Sequence, residues 1–317
     1  MLQPQGITSS HLASSSPLSR GAPSRASSLK MPDSLTKFPP LIQQRSTAAG
    51  RLGNWQLLRK IHEGSCVDVF LARPWGARQC CDYVAKVLHN HRHDDQVARE
   101  LLANEAAANR AVLHPNLTTV FEAHTRSCPC YLVLPRIEGV TLDVLQREGQ
   151  CSLRRGLRVV RQTAEALAAM HAAGWRHGDV KPANIMVSPT GHTTLIDLSL
   201  AAPRHAPLRG LGTRTYAAPE TAQEVGCAAS DVYSLGIVLF ELLLDASTRA
   251  NTKAKAPRVP ARHLELAQIS SSLQQLPIGG GLIRRMLQTE PDDRPRAAEV
   301  INELTPLEIQ TFSGLGI

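Results

Sequence analysis

Aromatic residues make up only 4% of the 317 residues, and Phe38 is the one aromatic among the first 53. Acids are as scarce there, with Asp33 standing alone. A Ser- and Pro-rich stretch of this kind cannot bury enough apolar surface to offset its ordering entropy, so residues 1–53 are expected to form a disordered basic tail. An organelle transit peptide would share that composition. The tail holds six Lys and Arg, so about five of the eight net positive charges fall outside the folded part, and nucleic-acid binding is not expected. The seven cysteines include no Cys-x-x-Cys pair, which argues against a disulfide scaffold and suits a reducing, cytoplasmic location. The most apolar run, residues 232–244, is too short to cross about 30 Å of hydrocarbon, so no membrane span is expected. No repeat and no second domain after Leu307 is visible.

What is present is concentrated. His177-Gly178-Asp179-Val180-Lys181-Pro182-Ala183-Asn184 is followed by Ile196-Asp197-Leu198-Ser199. Two carboxylates, an amide and an amine at this spacing suit phosphoryl transfer, where a protein mainly positions a hydroxyl and neutralises phosphate charge. Asp179 suits a base. Asn184 and Asp197 offer oxygens to a hard cation, and Lys181 offers a compact positive charge to the transferring group. A single Asp in a loop is more often a turn former, but the joint spacing is specific.

On these residues the chain resembles the protein kinase family, in its eukaryotic-like serine/threonine branch. More of that pattern lies upstream: Tyr83-Val84-Ala85-Lys86-Val87-Leu88, Glu105 in an Ala-rich helical stretch, His114-Pro115-Asn116, and Tyr131-Leu132-Val133-Leu134. Downstream come Gly212-Thr213-Arg214-Thr215-Tyr216-Ala217-Ala218-Pro219-Glu220, Ser230-Asp231-Val232-Tyr233-Ser234 and Asp293-Arg294-Pro295. The resemblance covers about residues 54–305. It implies an α+β, two-lobed fold: a β-rich N-lobe at 54–134 with one key helix, a hinge at 135–139, a mainly helical C-lobe at 140–305, and a short tail at 306–317. It implies ATP, Mg²⁺ (Mn²⁺ as an alternative) and protein substrates. The implied nucleotide site is Gly64, Val69, Val84, Lys86, Glu105, Leu134, Ile137 and Met186. Glu105 would pair with Lys86, and Val84 and Met186 would sandwich adenine. Asp179 and Lys181 would be catalytic, Asn184 and Asp197 would hold metal, and Thr213 would brace the loop. Glu220 and Arg294 would form a buried structural ion pair, and Asp231 would anchor the catalytic loop.

Periodicity agrees with that placement. Residues 55–71 read as two strands around a turn at Glu63-Gly64-Ser65. Ser152 can cap a helix whose apolar residues Leu153, Leu157, Val160, Ala164, Leu167 and Met170 follow the helical period, with Gly174 ending it. Ile185-Met186-Val187 and Thr194-Leu195-Ile196 read as a hairpin delivering Asp197.

Several residues depart from the family pattern. His62 and Val67 stand where two of three glycines are usual, which weakens the grip on phosphate. Ser199 replaces the glycine after the metal Asp. Gly178 replaces the arginine that reads a phosphorylated activation segment, so control by segment phosphorylation is not expected. Asn109 falls where an apolar residue usually links the lobes. Three readings follow: an active serine/threonine kinase, a kinase-fold binding module with weak or no transfer, and a small-molecule phosphotransferase. The third is disfavoured by the Ala218-Pro219-Glu220 segment and the Asp231 helix start. Two further clusters have everyday alternatives. Cys80, Cys81, Cys128 and Cys130 could form a zinc or redox site, against ordinary surface thiols; His89, His91 and His93 could bind metal, against solvated loop histidines. The Lys253-Ala254-Lys255 region reads as a variable docking surface.

Overall fold

The computed structural model describes residues 50–78, 82–204, 206, 212–223, 225–251 and 279–311. The expected tail up to residue 49, Cys80, Cys81, and the Lys253-Ala254-Lys255 region lie outside the described residues.

The first half of the domain is an antiparallel six-stranded sheet. Its strands are β1 (Arg51–Leu52), β2 (Trp55–Glu63), β3 (Val67–Pro74), β4 (Tyr83–Leu88), β5 (Glu122–His124) and β6 (Tyr131–Pro135), in the order β1-β2-β3-β4-β6-β5. Side chains alternate between faces along a strand. In β4, Tyr83, Ala85 and Val87 therefore pack with Trp55, Tyr131 and Val133, while Val84 and Leu88 join the cluster built on Leu102, Ala106 and Leu134. Lys86 shares the second face. That face is covered by α1 (Gln96–Ala111), whose first turn is capped by Asp95 accepting from the Ala98 N–H at 3.1 Å. Its buried stripe, Ala98, Leu102, Glu105, Ala106 and Asn109, follows the helical period. Two polar residues in that stripe are the first sign that α1 does more than pack.

The larger half is mainly helical. After β7 (Val140–Thr141) and α2 (Leu142–Arg147), Ser152 caps α3 (Leu153–Ala172) by accepting from the Arg155 N–H. The apolar positions expected in α3 are core, and Leu157, Val160, Ala164, Leu167 and Met170 are fully buried. β8 (Trp175–Arg176) leads into the loop that carries Asp179. β9 (Ile185–Val187) and β10 (Thr193–Leu195) form the expected hairpin, in a small sheet of order β10-β9-β7, and β11 (Ala202–Pro203) pairs with β8. α4 (Ala228–Asn251) is apolar on nearly every side through Leu243. It is enclosed by α3, α5 (Gly280–Met286) and the cluster that includes Val300 and Leu304 of α6 (Ala297–Gln310).

Both ends of the folded unit run past the expected limits of 54 and 305. Leu52 is buried and pairs with Trp55. α6 continues through Pro306 because Glu308 packs inward and accepts from Arg161 Nε of α3 at 2.6 Å. Among the described residues no helix is long and apolar enough to cross a membrane.

Candidate active site

The sheet register aims Lys86 at α1, and the α1 stripe aims Glu105 back. The Lys86 ammonium lies 2.6 Å and 2.8 Å from the two Glu105 oxygens and 3.1 Å from Asp197 Oδ1. Three residues separated by 19 and 92 positions thus share one charge cluster. Glu105 is 1% exposed. Burial opposes charge on Lys86, yet the two carboxylates outweigh it and raise the ammonium's pKa above its ordinary value. Burial likewise pushes the Asp197 carboxyl up, but Lys86 and the Ser199 hydroxyl draw it down to about 2. Asp197 also has φ of +66°, the one non-glycine residue with positive φ among those described, as the chain turns from the hairpin into the short turn at Leu198–Leu200.

The loop after β8 is fixed from below by Asp231 at the start of α4. One Asp231 oxygen accepts from the His177 N–H (2.8 Å) and lies 2.9 Å from His171 Nε2, while the other accepts from the Gly178 N–H (2.8 Å). Burial would raise the Asp231 pKa, but these bonds and the nearby histidines lower it instead. Gly178 has φ of +83°, and a Cβ there would come within 2.7 Å of the Leu200 carbonyl oxygen. Asp179 follows with its carboxylate in a ring of donors: Lys181 Nζ at 2.5 Å, Asn184 Nδ2 at 3.0 Å, and the Thr213 N–H at 3.2 Å. Lys181 donates onward to Thr213 Oγ1 at 2.7 Å. The Thr213 brace is therefore present on both its main chain and its hydroxyl. Asp179, Thr213, Arg214 and Tyr216 line an open cavity of about 640 Å³.

Asn184 and Asp197 are linked through the Ile196 N–H, which donates to the Asn184 carbonyl at 2.9 Å. The amide nitrogen of Asn184 is turned to Asp179, so its side-chain oxygen keeps no protein donor among the described residues. An amide oxygen and a carboxylate held ionised are a hard-oxygen donor set that fits Mg²⁺.

The comparisons with known proteins converge on one answer. The model of the protein kinase domain matches residues 55–304. The chain belongs to the protein kinase family. Among curated relatives, it is 28% identical over 277 residues to the probable serine/threonine-protein kinase pknA2 of Bifidobacterium longum, covering 81% of this chain and 36% of the relative. It is 38% identical over 203 residues to the serine/threonine-protein kinase PknA of Mycobacterium tuberculosis, covering 60% and 46%. It is 30% identical over 212 residues to CBL-interacting protein kinase 1 of Oryza sativa subsp. japonica, covering 62% and 44%. The chain spans less than half the length of these relatives.

As a protein kinase, the chain has the two-lobed α+β fold, with the six-stranded sheet and α1 as the small lobe. Glu220 and Arg294 make a two-pronged ion pair at 2.7 and 2.8 Å, with Ser230 Oγ donating to Glu220 at 2.7 Å. Gly64 closes the β2–β3 turn by donating to the Val67 carbonyl at 2.9 Å, and a Cβ on it would meet that oxygen at 2.8 Å. His62 and Val67 are ordinary strand residues on either side. Val69 pairs with Lys86, and Val84 pairs with Leu134. Ile137 follows β6 half-buried, and Met186 lies in the separate three-stranded sheet, paired with Thr194. Among the described residues no group of three or more His, Cys, Asp or Glu is placed to hold a metal; Cys80 and Cys81, half of the four-cysteine arrangement, lie outside them.

Two features were not legible in the motifs: His171 reaches Asp231 from the α3 stripe, and Arg176 is buried where the strand pattern calls for an apolar side chain. The last carries the one available signal: an arginine in an otherwise core position just before the loop that carries Asp179.

Proposed function

We propose that this chain is an ATP- and Mg²⁺-dependent protein kinase that transfers the γ-phosphoryl group to serine or threonine hydroxyls. One observation carries the reading: Lys86 is gripped by Glu105 and touches Asp197, which supports Lys86 as the cation that orients phosphate and Asp197 as the carboxylate that holds metal. The names of the relatives above, serine/threonine-protein kinases among them, support the choice of acceptor.

Each residue has a role that its surroundings suit. Lys86 orients the α and β phosphates, and Asn184 and Asp197 would hold Mg²⁺, which when bound neutralises charge on the phosphates. Asp179 takes the proton of the incoming hydroxyl, and its ring of donors holds that carboxylate in one orientation. Lys181 shifts from Asp179 to the transferring group, a short move for a flexible ammonium. Val69, Val84, Leu134, Ile137 and Met186 would enclose the adenine, with Gly64 over the phosphates. Protein substrates would enter along the cavity beside Asp179 and Thr213.

The test is transfer of labelled γ-phosphate from Mg·ATP by the purified chain, onto itself and onto basic proteins, beside Asp179→Asn. Phosphoserine or phosphothreonine that vanishes in the variant is the expected result. No transfer from the wild-type chain, with nucleotide still raising its melting temperature, would overturn the reading in favour of a nucleotide-binding module.

A further inference from the structure

Arg176 is 2% exposed, and its guanidinium donates to main chain. Its Nη1 donates to the carbonyls of Pro203 at 3.1 Å, Ala206 at 2.7 Å and Gly226 at 3.2 Å. Pro203 and Ala206 lie early in the segment that runs from Asp197 to Glu220, and Gly226 lies just beyond its end. One nitrogen therefore draws both limbs of the segment together. The same strand is tied again by the β8–β11 pairing, Arg176 to Ala202 and Trp175 to Pro203. Between the limbs sits Thr213, which touches both Asp179 and Lys181.

One alternative route to an ordered segment, a phosphate read from position 178, is absent. Position 178 has no side chain to read a phosphate, and its φ of +83° and the nearby Leu200 carbonyl resist gaining one. Of the hydroxyls at 199, 213 and 215, that of Thr213 is engaged with Lys181. A phosphate on Thr213 would break the brace rather than build it.

We propose that Arg176 is a built-in clamp: a positioning residue that orders the segment between Asp197 and Glu220 through backbone carbonyls, so that the substrate-docking face forms without phosphorylation. A buried guanidinium is well suited to this work, since it offers several fixed donors and remains charged. Its effect reaches the chemistry through Thr213 and the cavity wall, not through contact with the reacting atoms.

The kinetic arm of the test rests on the kinase reading, and the structural arm does not. Hydrogen exchange of peptides covering 199–206 and 212–223 is followed in the full chain, as purified, after phosphatase treatment, and in Arg176→Met and Arg176→Lys. Expected are unchanged protection and unchanged transfer after phosphatase, about tenfold faster exchange in Arg176→Met, and partial recovery in Arg176→Lys. In the Met variant KM for the protein substrate should rise about tenfold while KM for ATP stays put, since only the docking face is disturbed. A folded Arg176→Met chain with wild-type protection of both peptides would overturn the clamp. So would loss of protection on phosphatase treatment of the wild type, and this arm decides alone if the Met variant does not fold. Protection that depends on Arg176 in a chain showing no transfer would uphold the clamp while sinking the kinase reading.

Discussion

In the loop carrying Asp179, protein partners hold nearly every polar group: Asp231 from below, Asn184 and Lys181 from within, and Thr213 from the segment above. In the turn between β2 and β3, Glu63 and Ser65 are exposed, and closure comes mainly from two main-chain bonds, Gly64 N–H to the Val67 carbonyl and His89 N–H to the Cys66 carbonyl. One loop is built to be rigid before any ligand arrives. The other has little holding its tip. Pre-set groups lower the barrier, while a lax phosphate cover mainly weakens binding, so the departures from the family pattern at His62 and Val67 should show in KM for ATP more than in kcat.

The largest effect expected from breaking the rigid side is that of Asp197→Ala. It removes the carboxylate proposed to hold the metal and strips Lys86 of a partner, so transfer should fall by about a thousandfold or more. Circular dichroism should stay native, because Asp197 is partly exposed and Glu105 still holds Lys86. Undiminished transfer would remove Asp197 from the site.

Glu220→Gln tests the scaffold beneath that loop. It leaves the Arg294 side chain, fully enclosed, without its carboxylate, at a cost of about 3–5 kcal/mol in denaturant unfolding. The pH dependence follows from the same pair. Burial would raise the Glu220 pKa, but Arg294 and Ser230 lower it below the ordinary carboxylate value. A group depressed in the folded state contributes stability that is fully present above the unfolded pKa of about 4.3 and is lost as pH falls through the folded one. Unfolding midpoints should therefore drop steeply below about pH 4 in the wild type and less steeply in Glu220→Gln. Equal slopes would mean that Asp197 and Asp231, both also depressed, carry the acid sensitivity.

The ion-pair residues were readable in the sequence because each sits inside a short motif with its own spacing: Lys86 in an apolar strand, Glu105 in a helical stretch ahead of His114, and Asp197 after a hairpin. Local periodicity likewise placed α3, its Ser152 cap and the turn at Gly64. What escaped were contacts made by a residue whose local pattern already had an explanation. His171 lies in the buried stripe of α3, so nothing marked it as a partner of Asp231, 60 positions away. Arg176 stands out as an arginine at a core position of its strand, but its carbonyl partners appear only once the segment is folded over it. The course of the last helix past Pro306 was not legible either, since it depends on the inward packing of Leu304 and Glu308.

A smaller effect separates binding from chemistry in the lax loop. Gly64→Ala puts a methyl 2.8 Å from the Val67 carbonyl and must spread the turn. KM for ATP should rise about three- to tenfold with kcat within about twofold, since only ground-state grip is lost. A fall in kcat with KM unchanged would show that this turn takes part in the transition state, and the contrast between the two loops would then collapse.

The smallest effect concerns the joint between the two regions. Asn109 lies on the buried stripe of α1, one turn after Glu105. Its Nδ2 donates to the Glu105 carbonyl at 2.9 Å, and its Oδ1 is buried with no hydrogen-bond partner among the described residues. An unsatisfied buried acceptor costs about 1–3 kcal/mol, and a leucine of similar size has nothing to leave unpaired. Asn109→Leu should therefore stabilise the domain by about 1 kcal/mol, raising its melting temperature by a few degrees. Because α1 also carries Glu105, the gain should appear as faster transfer at low ATP if the helix otherwise leaves its seat part of the time. A higher melting temperature with unchanged transfer would mean that α1 is already held by the Lys86 pair alone. A lower one would mean that the orphaned oxygen is solvated in the working protein, with water supplying the missing donor.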